Sequence, residues 1–190
     1  RYDNSTYNLN NRLSICNVEK IIRKKADEDP NYVSEIEKEA EKRKDLSAED
    51  YICSVCHSSI CIAENGNVYP CAGWQGYVIG NVKDVSLKEL WNTSEKVKCL
   101  RELRRKDFPK CVDCLEKEFC TMCMVRNANE SPTGNYLEVN EYFCKIARIT
   151  KNIAITAQII ITTIIIYSIS NLLSLEVKVH FDKKSSLPFF

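Results

Sequence analysis

Apolar and polar positions follow different periods along the chain, and each period predicts a different element. Leu13, Val18, Ile21 and Ile22 recur at helical spacing among charged residues. After Asp29-Pro30-Asn31 the spacing resumes with Val33, Ile36 and Ala40. Proline removes a backbone donor and restricts the residue before it, so residues 1–50 read as two solvated surface helices separated at Pro30. Then the pattern changes. Ile60-Cys61-Ile62-Ala63 and Val68-Tyr69-Pro70-Cys71 flank Glu64-Asn65-Gly66-Asn67. Asn and Gly both tolerate positive φ, so a hairpin with a two-residue turn at Asn65-Gly66 is expected. That register brings Cys71 back beside Ile60 and Cys61.

Residues 86–106 return to the helical period. Ser86 and Glu89 fit a capping box; Leu87, Leu90 and Trp91 form one apolar face, and Val97, Leu100 and Leu103 the next. Asn92-Thr93-Ser94 offers the backbone competing hydrogen bonds and is expected to kink or restart the helix. Cys99 falls near the second face and reads as a small buried thiol. Residues 107–145 keep no sustained period.

From Asn152 to Leu175 there is no charge. Ile153, Ile155, Ile159–Ile161, Ile164–Ile166, Leu172 and Leu173 approach the apolar length of a membrane span, roughly 20 residues. Thr156, Gln158, Thr162, Thr163, Ser168, Ser170 and Asn171 argue the other way. The segment is read as a candidate membrane span, with a buried helix or strand and an aberrant reading frame as the alternatives. The chain thus divides into a helical segment 1–50, a central region 51–148 and an apolar tail 149–190.

Composition changes this picture at one point. The 27 Lys and Arg balance the 26 Asp and Glu, which gives no electrostatic case for a nucleic-acid partner. The 11 cysteines are the outlier. Arg1-Tyr2-Asp3-Asn4 has no apolar run of a signal peptide, so a reducing cytoplasm is expected and a disulfide framework is not. The first residue is not Met, and the chain reads as a fragment.

The cysteines include three C-x2-C pairs, Cys53/Cys56, Cys111/Cys114 and Cys120/Cys123. Such spacing lets two thiolates from one turn reach one metal centre. Zinc ribbons use two such pairs in tetrahedral closure, and iron–sulfur cubanes use four thiolates each. Either metal suits the count.

The order and the words around it resemble one family. Cys56, nine residues, Gly66, four residues and Cys71 match the opening of the SPASM pattern. Cys111-x2-Cys114-x5-Cys120, Cys123 and Cys144 follow it, with Cys123 one residue earlier than the family places its cysteine. Gly66-Asn67-Val68-Tyr69-Pro70-Cys71, Ile79-Gly80-Asn81 and Ser86-Leu87-Lys88-Glu89-Leu90-Trp91 are similar to family words. The resemblance covers roughly residues 51–148, with residues 1–50 as the tail of a preceding radical SAM barrel and its connector. It implies a small, irregular α+β domain with a hairpin and helices wrapped around two auxiliary [4Fe-4S] clusters. Cys111, Cys114, Cys120 and Cys144 would hold one cluster. Cys56, Cys71 and Cys123 would help hold the other, with Cys53, Cys61 or an open iron in the fourth position. His57 is adjacent and reads as an exposed histidine rather than a ligand.

The family modifies peptides and proteins, and this chain looks most like maturases of ribosomal peptides or sulfatases. The implied partners are a peptide or protein substrate and an electron donor. No C-x3-C occurs in the sequence, so S-adenosylmethionine is a cofactor of the full enzyme only, and no catalytic residue is assigned here. The rival readings are a zinc-binding interaction module and a ferredoxin-type electron carrier.

Overall fold

A computed structural model describes residues 7–184, with side chains described from residue 9 to residue 171. Helix α1 spans Ile15–Glu28 and helix α2 spans Tyr32–Glu41. The Ser14 hydroxyl accepts the Asn17 N–H at 3.2 Å and caps α1. The Asp29 carboxylate takes the Asn31 N–H at 3.0 Å in the break between the helices. The inward face of α1 differs from the expected stripe. Ile15, Val18 and Ile22 are half-buried, whereas Leu13 and Ile21 are 51% and 55% exposed. Residues 15, 18 and 22 share one side of a helix, and Ile21 turns off it by about 100°.

The sheet has three antiparallel strands in the order β1 (Cys61–Ile62), β2 (Asn67–Tyr69), β3 (Gly80–Asn81). Cys61 pairs with Tyr69 and Ile62 with Val68. This is one residue off the expected register, because the loop is longer than Asn65-Gly66 alone. The Ala63 N–H donates to Asn67 O at 2.9 Å, so Glu64, Asn65 and Gly66 form a three-residue loop. Gly66 sits at φ +90°, as the left-handed position of such loops requires. A Cβ there would also lie 2.5 Å from Asn81 Oδ1. Asn81 Nδ2 donates to Asn67 Oδ1 at 2.9 Å and to Asn65 O at 3.2 Å, which pins β3 to the loop. The sequence pattern gave no strand at Gly80-Asn81, since two residues carry no period. Gly80 instead admits close approach, for a Cβ there would stand 2.6 Å from Leu90 Cδ2.

The long helical stretch divides at Ser94 into α3 (Leu87–Thr93) and α4 (Glu95–Glu102), as the Asn92-Thr93-Ser94 run foretold. The Ser86 hydroxyl accepts the Glu89 N–H at 3.2 Å. Leu90, Val97 and Leu100 face inward and meet Val68, Trp74, Phe108 and Met124 in the core. Cys99 does not join them and is exposed, because residues 97 and 100 leave 99 on the far side of α4. Beyond α4 come the short helices α5 (Pro109–Val112) and α6 (Met124–Glu130), then the long helix α7 (Glu141–Lys184). The first turns of α7 bury Ala147, Ile149, Ile153 and Ala154 and pack on α1 and α2. The helix passes residue 148 unbroken, so the central region and the apolar tail share one rod. The whole is an α+β arrangement, helix-rich with one small sheet, as expected.

Candidate metal centre

Two tight turns and one helix bring the cysteines of the predicted ligand list into two groups. The first group begins in the turn Ser54–Ser59, where Ser54 O accepts the N–H groups of His57, Ser58 and Ser59 at 3.0, 3.0 and 3.2 Å. The Cys56 N–H donates to Ser59 O at 3.0 Å. Cys56 has φ +59°, the one non-glycine residue in the left-handed region among the described residues. That conformation costs an L-residue roughly 1–2 kcal/mol and is held here by the surrounding bonds. Cys56 is fully buried, and burial pushes its thiol up to about 11, against the pull of Arg101. Cys53 lies at the surface, within electrostatic reach of Cys56, Cys71 and Cys123. Partial burial raises its thiol; a bond from the Val55 backbone lowers it, and the charges of Cys123 and Cys71 raise it again. Cys61 stands in β1, paired with Tyr69.

The second group is Cys111, Cys114, Cys120 and Cys144. Burial first, and then Cys144 and Cys114, push the Cys111 thiol up. Burial, Cys144, Cys111 and Cys114 push Cys120 up to about 11. These four line one pocket with Arg105 and Cys123. Helix α5 supplies Cys111, and Cys114 follows in the next turn, its Sγ donating to Glu116 Oε2 at 3.4 Å. Cys120 closes the 3-10 turn Lys117–Phe119, and α7 supplies Cys144. Salt bridges tie the carrier elements together: Arg148 meets Glu116 at 3.5 Å and Lys110 meets Glu141 at 3.3 Å. The Lys151 ammonium also donates to Leu115 O at 2.6 Å. Cys123 stands between the groups, bordering the second pocket while acting on Cys53 in the first.

Each group has its own arginine. Arg101 Nε donates to Cys56 O at 2.6 Å, and the guanidinium stacks 4.3 Å from the Trp91 ring. Its Nη2 is buried with no acceptor among the described residues. An orphaned buried donor is costly unless something accepts from it. Arg105 is 8% exposed and lowers both Cys111 and Cys120. Neither role was legible from the residue string, because helical periodicity marks apolar faces and does not say which thiol an arginine will meet across the fold. His57 belongs to neither group. It is half-buried against Tyr51, with ring centroids 3.7 Å apart, and burial, Arg104 and Arg101 lower its pKa.

The chemistry of this donor set fits iron–sulfur clusters. Thiols dominate the two groups, with the Glu116 carboxylate beside Cys114, and a buried N–H and two cations stand near them for an anionic sulfur-rich centre. Among the described residues no three His, Cys, Asp or Glu side chains stand close enough to share a single ion. The raised thiols are protonated at neutral pH without metal, so loading must release protons.

Comparison with known proteins points the same way. Residues 53–115 match the family model SPASM, an iron–sulfur cluster-binding domain. Of the predicted ligands, Cys53, Cys56, Cys71, Cys111 and Cys114 lie inside that match, and Cys120, Cys123 and Cys144 lie beyond it. The chain is also similar to an AdoMet-dependent heme synthase of Methanosarcina barkeri, 31% identical over 81 residues. That stretch is 43% of this chain and 22% of the relative, so the chain spans about a fifth of the relative's length. No solved structure matches it.

Proposed function

With a SPASM iron–sulfur segment as the premise, we propose that this chain is the auxiliary-cluster region of a radical SAM enzyme and binds two [4Fe-4S] clusters. The observation that carries the number two is the division of the thiols into two groups, each with an arginine. Cys53, Cys56, Cys71 and Cys123 hold one cluster; Cys111, Cys114, Cys120 and Cys144 hold the other. When bound, such clusters supply one-electron transfer or an iron site for substrate. The chain's own residues set their surroundings. The turn at Ser54–Ser59 fixes Cys56, α7 fixes Cys144 against α5, and Phe108 and Val97, both fully buried, keep water from the core between them. The substrate of the whole enzyme is a peptide or protein. A tetrapyrrole is the second reading, favoured by the name of the Methanosarcina relative.

The direct test is anaerobic reconstitution with iron and sulfide. About eight iron and eight sulfide per chain are expected, since each cubane carries four of each. Preferential uptake of zinc without acid-labile sulfide would leave a zinc-binding interaction module as the reading.

Arg101 gives a second test of the same arrangement. A cation and N–H donor beside a cluster's sulfurs favour its more negative, reduced state. The Arg101→Gln variant is expected to keep its iron and to show a lower midpoint potential for one of the two clusters in a potentiometric titration followed by EPR. Unchanged potentials at full iron content would remove Arg101 from the first site.

A further inference from the structure

From Ile155 onward α7 leaves the rest of the molecule, and its side chains as far as Asn171 are exposed apart from the half-buried Ala157. The exposed groups are large and apolar. Ile159, Ile160 and Ile161 are 61%, 54% and 56% exposed, and Ile164, Ile165 and Ile166 follow at 59%, 51% and 62%. Three consecutive residues of a helix point in three directions about 100° apart, so this rod is apolar on every side. A surface helix that docks on one protein partner shows an apolar stripe and a polar face. Neither is present here.

Four of the seven Thr, Ser, Gln and Asn residues from Ile155 to Asn171 bond back to their own helix, while Gln158, Ser170 and Asn171 remain as its polar positions. Thr156, Thr162, Thr163 and Ser168 each donate a hydroxyl to the carbonyl four residues back, all at 2.8 Å. Their hydrogens are therefore satisfied inside the helix, as lipid demands. The length also fits. Residues 155–175 are 21 uncharged positions in one helix, about 32 Å at 1.5 Å per residue, against a hydrocarbon core of about 30 Å. The stretch from Glu141 to Asn171 reaches a mean hydropathy of 2.0 over 18 residues, with 11% of that window buried. A core helix of a soluble protein would be mostly buried, and this one is not. Charge returns at both ends: Lys145, Arg148 and Lys151 before the run, Glu176, Lys178, Lys183 and Lys184 after it. Leu172 and Leu173 continue the apolar sequence but lie outside the described side chains.

We propose that residues 155–175 of α7 cross a lipid bilayer and fasten the cysteine-bearing region to the membrane surface. The same unbroken helix carries Cys144, which lies about 16 Å along the axis from Ile155 at 1.5 Å per residue. The second thiol group is thereby held at a fixed height above the headgroups, and Lys151, four residues before the run, stands nearest the phosphate layer.

The test uses the full chain with vesicles of phosphatidylcholine containing a minor share of phosphatidylglycerol. The chain is expected to float with the vesicles in a density gradient and to stay with them through an alkaline carbonate wash. Ile164→Arg, which puts a charge at the middle of the run, is expected to lose most of the floating fraction while binding as much iron as the unaltered chain. Leu87→Arg, on the exposed side of α3, is expected to float normally. Three results would each overturn the proposal: a chain that stays at the bottom of the gradient, one that floats but is stripped by carbonate, and one that forms a discrete lipid-free oligomer which Ile164→Arg disperses. Iron content is read separately, so loss of the clusters and loss of membrane binding are told apart.

Discussion

Cys114→Ala and Cys144→Ala are each expected to cut bound iron and sulfide from about eight to about four per chain, because removing one of four thiolates frees a cubane corner in the same group. The two residues are 30 positions apart in sequence, yet Cys144 and Cys114 both bear on Cys111 and Cys120. Their loss should therefore have the same spectroscopic result. Cys53→Ala and Cys71→Ala are expected to remove the other half, leaving the EPR signal that the first pair abolishes. Cys16→Ala and Cys99→Ala are the controls: both thiols are exposed, Cys16 on α1 and Cys99 on the outer side of α4. Cys61→Ala joins the controls, since its strand holds it at Tyr69. The measurement is iron by plasma emission with sulfide by colorimetry on matched samples. Equal loss in all seven variants would mean that the division into two groups is wrong.

The second large effect is an absence. Reductive cleavage of S-adenosylmethionine by the radical SAM route uses a cluster with an open iron held by C-x3-C-x2-C, and the nearest run here, Cys53-x2-Cys56-x4-Cys61, has other spacings. The reconstituted chain, reduced with dithionite and given S-adenosylmethionine, is expected to form no 5′-deoxyadenosine by liquid chromatography. Addition of a separate chain bearing the three-cysteine motif is the case in which product should appear. Steady formation by the chain alone would mean that the enzyme needs no further part and that the reading as an auxiliary region is mistaken.

The sequence by itself determined the elements whose signals are local. Pro30 and its neighbours separate α1 from α2, Ser86 caps α3, and Ser94 restarts the helix as α4, because caps and breaks are decided by a few adjacent backbone groups. The cysteine pattern was legible for a similar reason: cysteine spacing and the Gly66–Cys71 word are properties of the string, and residues 53–115 match the SPASM family model. Tertiary structure alone decided which faces turn inward. Leu13, Ile21 and Cys99 fit apolar stripes on paper, yet all three are exposed: Leu13 precedes α1, and Ile21 and Cys99 lie on sides of α1 and α4 turned from the neighbouring elements. It also decided what surrounds the three-residue loop at Gly66, since Asn81, 15 positions away, bonds to Asn65 O and Asn67 Oδ1 and stands where a Cβ at Gly66 would lie. The placing of Arg101 and Arg105 beside separate cysteine groups came from how α4 packs on the Cys56 turn. For the apolar tail the sequence left a span and a buried element equally open. In the structure Ala147, Ile149, Ile153 and Ala154 are buried where α7 packs on α1 and α2, whereas the isoleucines from Ile155 to Ile169 are exposed among the described residues, because the helix runs on past the elements it packs against.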